Sequence, residues 1–379
     1  MKICLVTLGF APYRVSGLSV YGEQVALGLA QRGHQVTVLA GRRNRRYAED
    51  ELKLPNNLTL EFLPVGRLDW IGLGWQVAKK LKETKCDVVH FLDLHFAYNY
   101  KYSFVASAFQ SFRQRMTSYY GGPYYTFKYE KVVKMLYYKL ASVAEKSCAK
   151  RASKIVASSW SAFREFTLDY SEISDKLSVI YPGIDVDSYH LPITRADARR
   201  RLGLGLDWFI LLFVGFGGPR KGLELIPSIM SKMPEFVHFI SIGPWNRSYM
   251  YKFINSLDEK SRKLIHLFGY VNEERKRLFY TAADAFIFPT WLEGFGLPVA
   301  EAMAAGLPVV TPLSGATAEV VGRFGCLVKP GCVESYLSAI YKLIEDKEFR
   351  SYISEKLRRR AINLFNRDSM IDNLEKIYL

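Results

Sequence analysis

Residues 288–303 read FPTWLEGFGLPVAEAM, and this stretch decides the architecture of the second half of the chain. An apolar strand is expected to end where the stretch begins, and a loop with Glu293 and two glycines follows. Pro298 stands where a first helical residue is expected, because its ring fixes φ and its missing N–H is not needed there. The helix is expected to cover residues 299–305 and to end at Gly306. The pattern predicts a Gly-rich loop that opens onto a helix at the carboxyl end of a parallel strand.

Such a loop is a ready site for a phosphate, because unpaired backbone N–H groups and the helix dipole both favour an anion. It is also where open α/β sheets bind ligands. Two carboxylates, Glu293 and Glu301, stand in this stretch with seven residues between them. Glu301 is placed to accept hydrogen bonds from ribose hydroxyls, and Glu293 from the hydroxyls of a sugar. The alternative is that Glu301 only interacts with the helix dipole and that Glu293 is solvated.

Outward from this stretch, strands and helices alternate along both halves of the chain. Lys2–Thr7 predicts a strand, Ser19–Gln31 a helix and Gln35–Ala40 a second strand, which is the unit of a parallel sheet. Further strands are expected over residues 87–92, 154–158, 177–181, 209–214, 236–242, 266–269, 285–288 and 308–311. The fold class is therefore α/β, with two Rossmann-like domains and a junction near Asp185.

The 379 residues carry a net charge of +15. Of this, +11 lies in residues 1–180, where Arg42, Arg43, Arg45 and Arg46 stand close together. Such a bias indicates an anionic partner, either a membrane surface, a nucleic acid or a phosphorylated substrate, unless it is merely a soluble basic surface. No run of about 18 uncharged apolar residues occurs, so no membrane-spanning helix is expected. The five scattered cysteines form no CxxC pair, so neither a disulfide framework nor a zinc site is expected, and a reducing, cytoplasmic setting fits.

Two histidines, His90 and His95, follow a predicted strand in the first half together with Asp93. Metal ligation, contact with an acceptor and a structural role all stay open for the histidines. Residues 96–140 are rich in aromatic and basic residues. This composition is compatible with nucleic-acid stacking, with a membrane interface or with a helical cap over the sheet.

Residues 293–310, EGFGLPVAEAMAAGLPVV, resemble the E-G-F-G-L-P-x-x-E-A-M-A-x-G-x-P-V-V loop of the retaining glycosyltransferases of family 4, or group 1, which have the GT-B fold. The resemblance extends over nearly the whole chain. Residues 32–36 (RGHQV), 179–185 (VIYPGID) and 319–330 are similar to other motifs of that family in the same order. It implies two Rossmann-like domains facing across a cleft, at residues 1–185 and 186–364, with the helix of residues 365–379 packing back on the first.

The resemblance also implies roles for individual residues. Glu301 would bind the ribose and Glu293 the hydroxyls of the donor sugar. Residues 213–222 are similar to V-G-R-L-x-x-x-K-G, so Lys221 would hold the diphosphate, and Lys221 and Glu293 would be the catalytic pair. Phe216 stands where the family has arginine, and we expect Arg220 to replace that arginine, unless it is only solvated. The remaining donor-binding residues implied by the resemblance are Gly17, Tyr270, Val271, Phe295, Gly296 and Leu297.

The first half departs from the family in two places. Leu18 stands where the second glycine of a Gly-Gly pair is usual, so a backbone role is expected at Gly17 alone. The family often has a histidine after the next strand, near the donor sugar, and we place Tyr119 and Tyr120 at that position. These two tyrosines and the two histidines are the candidate acceptor contacts.

The expected activity is transfer of a hexose from a UDP- or GDP-linked sugar to a glycan or lipid-linked acceptor, with retention of configuration. No cofactor, no metal and no nucleic acid is expected, and a dehydrogenase is not indicated because no nucleotide-binding G-x-G-x-x-G follows the first strand. A cytoplasmic enzyme of cell-envelope glycan synthesis, peripheral on an anionic membrane, would fit. The alternatives are a basic nucleic-acid-binding protein and a GT-B epimerase or phosphorylase.

Overall fold

The computed structural model describes residues 1–11, 16–41, 54–64, 69–121 and 128–379. It divides the chain into two compact units. The first unit consists of Met1–Gly183 together with Arg367–Leu379, and the second of Ile184–Asn366.

The first unit is built on a sheet of seven strands in the order β3-β2-β1-β4-β5-β6-β7, all parallel. The strands are β1 (Lys2–Thr7), β2 (Gln35–Gly41), β3 (Leu58–Leu63), β4 (Val88–Phe91), β5 (Val105–Ala108), β6 (Lys154–Ala157) and β7 (Leu177–Val179). β1, β4, β5 and β6 are buried along nearly their whole length, as expected for strands covered on both faces.

Six helices belong to the first unit within the described residues: α1 (Gly17–Gln31), α2 (Asp69–Glu83), α3 (Phe112–Gly121), α4 (Lys128–Arg151), α5 (Trp160–Asp169) and the last helix of the chain, Arg367–Tyr378. Ser16 caps α1, because its side chain accepts a hydrogen bond from the N–H of Ser19. The last helix packs against α1, where Gly28 leaves room for Ile371. An ion pair from Arg32 to Asp372, 2.6 Å long, joins the same two segments.

The second unit has a sheet of six parallel strands in the order β10-β9-β8-β11-β12-β13. They are β8 (Phe209–Val214), β9 (Val237–Ile242), β10 (Ile265–Gly269), β11 (Ala285–Ile287), β12 (Val309–Pro312) and β13 (Cys326–Val328). Every residue of β8, β9, β11 and β12 is buried.

The helices of the second unit continue the series from α6 to α14. They are α6 (Arg195–Leu202), α7 (Ile226–Met230), α8 (Arg247–Asn255), α9 (Glu259–Leu264), α10 (Glu273–Ala282), α11 (Leu297–Ala304), α12 (Gly315–Val321), α13 (Val333–Glu345) and α14 (Lys347–Leu364). The helix Arg367–Tyr378 of the first unit is then α15.

The sequence analysis was wrong about disulfides. Cys4 on β1 and Cys86, just before β4, form a disulfide with their Cα atoms 6.0 Å apart. The two cysteines are 82 positions apart in sequence, and the parallel pairing of β1 with β4 brings them together. The positions of the two cysteines along the chain do not reveal this pair. They are neighbours only because β1 and β4 pair in the folded sheet.

All of the predicted strands are present, and their ends differ from the prediction by at most two residues. β3, β5 and β13 were missed, because strands of three to six residues between loops give too short a pattern. A 3₁₀ turn over residues 223–225 precedes α7.

Candidate functional site

The order of strands in the second unit locates its ligand site. Successive strands are added on one side of β8 up to β10 and on its other side from β11 onward, so the strand order reverses between β8 and β11. These two strands pair with Ala285 opposite Leu211. Parallel sheets bind ligands at the carboxyl ends of the two strands at such a point. The loop after β8 carries Arg220 and Lys221, and the loop after β11 carries Glu293. The fold therefore brings together residues 72 positions apart that the sequence analysis assigned to one site.

A buried carboxylate lies at the centre of this site. Glu293 accepts a hydrogen bond from the ammonium of Lys221, and both side chains are about one-tenth exposed. The Oγ1 of Thr290 donates to the same Oε1 over 3.1 Å. Nη1 of Arg220 lies 3.6 Å from Oε2 of Glu293 and donates to the carbonyl of Leu292 over 2.9 Å. The sequence analysis missed Thr290, although a hydroxyl three residues before Glu293 could have suggested it.

Burial and charge act in opposite directions on these groups. Burial by itself would raise the pKa of Glu293, but the charges of Arg220 and Lys221 and the hydrogen bonds from Lys221 and Thr290 outweigh it and lower the pKa. Burial lowers the pKa of Lys221, and Arg220 adds to that effect, while Glu293 opposes it. The carboxylate is therefore held ionised beside two cations.

Gly222 fixes the loop that presents Lys221. Its φ is +66°, and a Cβ there would overlap the carbonyl oxygen of Pro289. Glycine is thus required both by the backbone conformation and by the close approach of the next loop. On the other side, the ammonium of Lys221 lies 4.7 Å from the centre of the Phe288 ring. The ring and the carboxylate together hold the ammonium in place.

The loop after β11 opens onto α11, as the sequence predicts, with one correction. The helix begins at Leu297, so Pro298 is its second residue and not its first. Gly296 precedes the helix in the left-handed region, at φ 93°. Gly296 and Leu297 place their N–H groups at this helix end, where the backbone and the helix dipole favour an anion. The Phe295 side chain is buried and meets the ring of Phe365 edge to face.

Glu301 lies in the next turn of α11 and is only 3% exposed. Its Oε1 accepts from Lys276 over 3.1 Å and its Oε2 from the hydroxyl of Tyr280 over 2.8 Å. Burial would lower the pKa of Lys276, but Glu301, Tyr189 and Glu273 raise it well above its usual range. Lys276 and Tyr280 were not predicted, because no local pattern on α10 connects them with Glu301.

Tyr270 and Val271 lie in the loop between β10 and α10, both half-buried. Gly269 ends β10 with φ +68°, and its carbonyl accepts from the N–H of Gly243 over 2.6 Å. This contact joins the ends of β9 and β10. It holds the loop of Tyr270 at the same edge of the sheet as the Glu293 cluster.

His90 in the first unit is fully buried on β4. Its Nδ1 is 2.7 Å from the Tyr378 hydroxyl and its Nε2 is 2.9 Å from the Ser107 hydroxyl, which in turn bonds Tyr21. Burial lowers the pKa of His90 to about 3, so the ring is neutral. With both nitrogens used inside the unit, this geometry does not favour the acceptor contact predicted for His90.

His95 lies in a 3₁₀ turn after β4 and is 5% exposed. Its Nδ1 is 2.9 Å from Oδ1 of Asp93. The ring packs against Phe96 and Phe112, at 4.2 and 4.8 Å between ring centres. The pair lies at the carboxyl end of β4, but aromatic rings cover most of the imidazole.

The structure moves two other predicted residues. β5 ends at Ala108, so Phe109 and Gln110 occupy the position directly after the strand. Tyr119 and Tyr120 lie in the last turn of α3 instead, so their assignment to that position was wrong, because β5 was not recognised in the sequence. Their side chains lie outside the described part of the chain. Gly17 is the first residue of α1, and a Cβ there would meet nothing within 4 Å.

The sequences of the two halves of the chain match two family models. Residues 194–360 match the model of the glycosyl transferases group 1, and residues 15–188 match that of Glycosyltransferase Family 4. The chain is a family 4 glycosyltransferase.

The uncharacterised glycosyltransferase MJ1607 of Methanocaldococcus jannaschii is 25% identical to it over 397 aligned positions, which cover 100% of this chain and 98% of that protein. A UDP-Gal:α-D-GlcNAc-diphosphoundecaprenol α-1,3-galactosyltransferase of Escherichia coli is 27% identical over 54% of each chain.

Solved structures agree on the fold of this glycosyltransferase. Anabaena HepE in complex with UDP and glucose superposes with a TM-score of 0.79 at 17% identity, over 100% of this chain and 99% of that one. WaaG, a glycosyltransferase of lipopolysaccharide biosynthesis, gives 0.80 at 20% identity, over 99% of each. At these identities the likeness establishes the GT-B fold, with its two Rossmann-like domains.

Among the described residues, no group of three or more His, Cys, Asp or Glu side chains is placed to hold a metal ion. Nor does any helix in the described ranges combine the length and apolar character needed to cross a membrane. The arginine cluster at residues 42–46 lies outside the described residues.

Proposed function

We propose that this glycosyltransferase moves a hexose from a nucleoside diphosphate sugar, UDP- or GDP-linked, to a glycan or lipid-linked acceptor with retention of configuration. The observation that carries the proposal is the cluster of Lys221, Arg220 and Glu293 at the switch point of the second sheet, in front of the N-terminus of α11. In this proposal the two cations and the backbone N–H groups at the start of α11 bind the phosphates of the donor, and the Glu293 carboxylate accepts hydrogen bonds from the hydroxyls of its sugar. The relatives whose names mention UDP or UDP-Gal make UDP sugars the first donors to test.

In this proposal the protein accelerates transfer by stabilising the charge that develops on the departing diphosphate. Lys221, Arg220 and the N–H groups of Gly296 and Leu297 supply positive potential in place before the reaction starts. Glu293 accepts hydrogen bonds from the sugar and fixes its orientation, and Glu301 accepts them from the ribose. Tyr270 and Val271 border the base.

The acceptor is proposed to reach the enzyme at an anionic membrane. The described exposed face of α4 supports this, since it carries apolar side chains interleaved with lysines: Met135, Leu136, Lys139, Leu140, Val143, Lys146 and Lys150. Glu172 pairs with Lys146 and Lys150 at 3.4 and 3.1 Å and offsets part of that charge. Apolar side chains flanked by lysines are typical of a helix that lies in a membrane interface. A role in cell-envelope glycan synthesis would follow from such an acceptor.

Calorimetry with UDP, GDP and their hexose conjugates tests the donor assignment. We expect wild-type protein to bind one nucleoside diphosphate, Glu301→Gln to weaken that binding, and Glu293→Gln to weaken chiefly the intact donor. Product anomers identified by NMR test retention. Failure of every UDP and GDP compound to bind, with salt-sensitive binding of single-stranded oligonucleotides, would favour the nucleic-acid alternative instead.

A further inference from the structure

Behind α11 the second unit contains a nearly inaccessible ionic group. Lys276 is 8% exposed, Glu301 3% and Tyr280 not at all. Lys276 and Tyr280 are four residues apart on α10, so their side chains leave the same face of the helix. Each donates to a different oxygen of Glu301, over 3.1 and 2.8 Å. The plane of the carboxylate is therefore fixed from one side.

A carboxylate has about four acceptor positions. The phenol of the buried Tyr189 also hydrogen-bonds Glu301, so three donors, with Lys276 and Tyr280, occupy three of them. Glu301 follows the N-terminus of α11 by one turn. The fixed carboxylate thus keeps one acceptor position for a ribose hydroxyl.

The charge of Lys276 matters as much as its geometry. A carboxylate alone at this place would repel a diphosphate bound at the N-terminus of the same helix. A buried carboxylate without a partner would also tend to take up a proton and lose acceptor positions. Lys276, also 2.9 Å from the exposed Glu273, stays protonated and cancels the charge of Glu301.

We propose that Lys276 is a positioning residue for the nucleotide: it holds Glu301 oriented and electrically neutralised so that the carboxylate accepts a ribose hydroxyl next to the diphosphate. This inference rests on the proposed donor binding in the second unit. It assigns to Lys276 a role that acts entirely through Glu301.

A double-mutant cycle measured with UDP, or with GDP if wild type prefers it, tests this dependence. Lys276→Met should weaken nucleotide binding at least tenfold in the wild-type background. In the Glu301→Gln background the same change should cost less than threefold, because no carboxylate remains to be held. With intact donor, Lys276→Met should raise KM and leave kcat within about threefold, since the ribose contact is the same before and during reaction.

The matched control is Lys263→Met, which removes an exposed lysine paired with Glu259 at 3.2 Å on α9 and should leave binding unchanged. Thermal unfolding identifies variants that do not fold. If Lys276→Met is one of them, Lys276→Arg, which keeps the charge, should bind within about threefold of wild type, and a tenfold loss there overturns the inference.

Equal losses from Lys276→Met in both backgrounds indicate a merely structural lysine and overturn it as well. So does a loss of less than twofold in wild type. If wild type binds neither UDP nor GDP, it is the proposed function that fails.

Discussion

Removal of Arg220 tests whether the phosphate loop of this chain uses a second cation. The loop has Phe216 at the position of the family's arginine, and Phe216 is 53% exposed. Arg220 lies with Nη1 2.9 Å from the carbonyl of Leu292 and 3.6 Å from Glu293. Its guanidinium therefore faces the same carboxylate as Lys221. The two neighbours converge on one site, which is compatible with the predicted replacement of the missing arginine by Arg220.

The size of the effect follows from distance and exposure. Two unit charges 3.6 Å apart attract by about 1.2 kcal/mol at the dielectric constant of water and by about 4.6 kcal/mol at an effective value of 20. The Arg220 side chain is 42% exposed, against 11% for Lys221, so its interactions lie nearer the lower figure. Loss of one preorganised charge contact typically costs about 2–4 kcal/mol in the transition state. We expect the lower end for Arg220→Ala, about 30-fold in kcat/KM, and a larger loss for Lys221→Ala.

The assay is release of nucleoside diphosphate from the donor at subsaturating concentration, across a pH range. Arg220→Lys keeps a charge without the guanidinium and should lose less than Arg220→Ala. The control is Arg262→Ala, since Arg262 is also an exposed arginine that donates to a backbone carbonyl, that of Leu257 over 3.2 Å, but on α9. It should match wild type.

The pH profile gives an independent readout. Arg220 helps to lower the pKa of Glu293, so its removal raises that pKa. Activity that needs the ionised carboxylate should then fail at a higher pH in Arg220→Ala than in wild type as the solution is acidified. If Arg220→Ala stays within twofold of wild type at every pH while Lys221→Ala is crippled, the reasoning is wrong, and Lys221 and backbone N–H groups hold the phosphates alone.

Three further predictions concern other parts of the molecule. Burial raises the pKa of Glu145 from its usual 4.5 to about 8, so the protonated carboxyl contributes fully to stability below about pH 4.5. This contribution is lost as the pH rises to about 8, at roughly 1.4 kcal/mol per pH unit. The melting temperature of Glu145→Gln should therefore exceed that of wild type at pH 8 and not at pH 5. Gly222→Ala should destabilise the second unit in urea by clearly more than Gly203→Ala, because both glycines have positive φ but a Cβ at Gly203 meets open space and one at Gly222 overlaps Pro289; equal losses would remove the packing argument. Wild type should sediment with anionic vesicles and much less with neutral ones, and Leu140→Glu on the exposed face of α4 should reduce its sedimentation with the anionic vesicles. Equal binding of wild type to both vesicle types would contradict the membrane proposal.

The second unit could be predicted well from its sequence, because its signals are local. A Gly-rich loop, a proline near the start of a helix and two spaced glutamates lie within one continuous stretch, and α11 begins at Leu297, two residues before the predicted start. The partners that the fold brings to Glu301 from a distant part of the chain could not be predicted. Lys276 and Tyr280 meet Glu301 across 25 and 21 positions, and no pattern in either segment refers to the other.

The first unit was harder for a related reason. β5 is four buried residues between loops, so the stretch after it was sought ten residues too late, at Tyr119 and not at Phe109. His90 stood out in sequence as a polar group at a strand end. Its partners, Ser107 and Tyr378, come from a neighbouring strand and from the last helix of the chain, so its burial could not be inferred from residues near it.

The charges of the second unit's site explain why Arg220 should matter although it is the more exposed cation. Lys221 and Glu293 cancel each other, and so do Lys276 and Glu301, so these two pairs together offer a bound diphosphate no net positive charge. The described side chains of the Glu293 cluster are two cations, Lys221 and Arg220, and one carboxylate, so Arg220 gives the cluster a net charge of +1. A departing nucleoside diphosphate carries about three negative charges, so long-range attraction depends on this excess charge even where Lys221 makes the closer contact. Under the proposed function, Phe216 can replace the family's arginine because Arg220 supplies the charge four residues along the loop, at a position that Gly222 and the carbonyl of Leu292 hold in place.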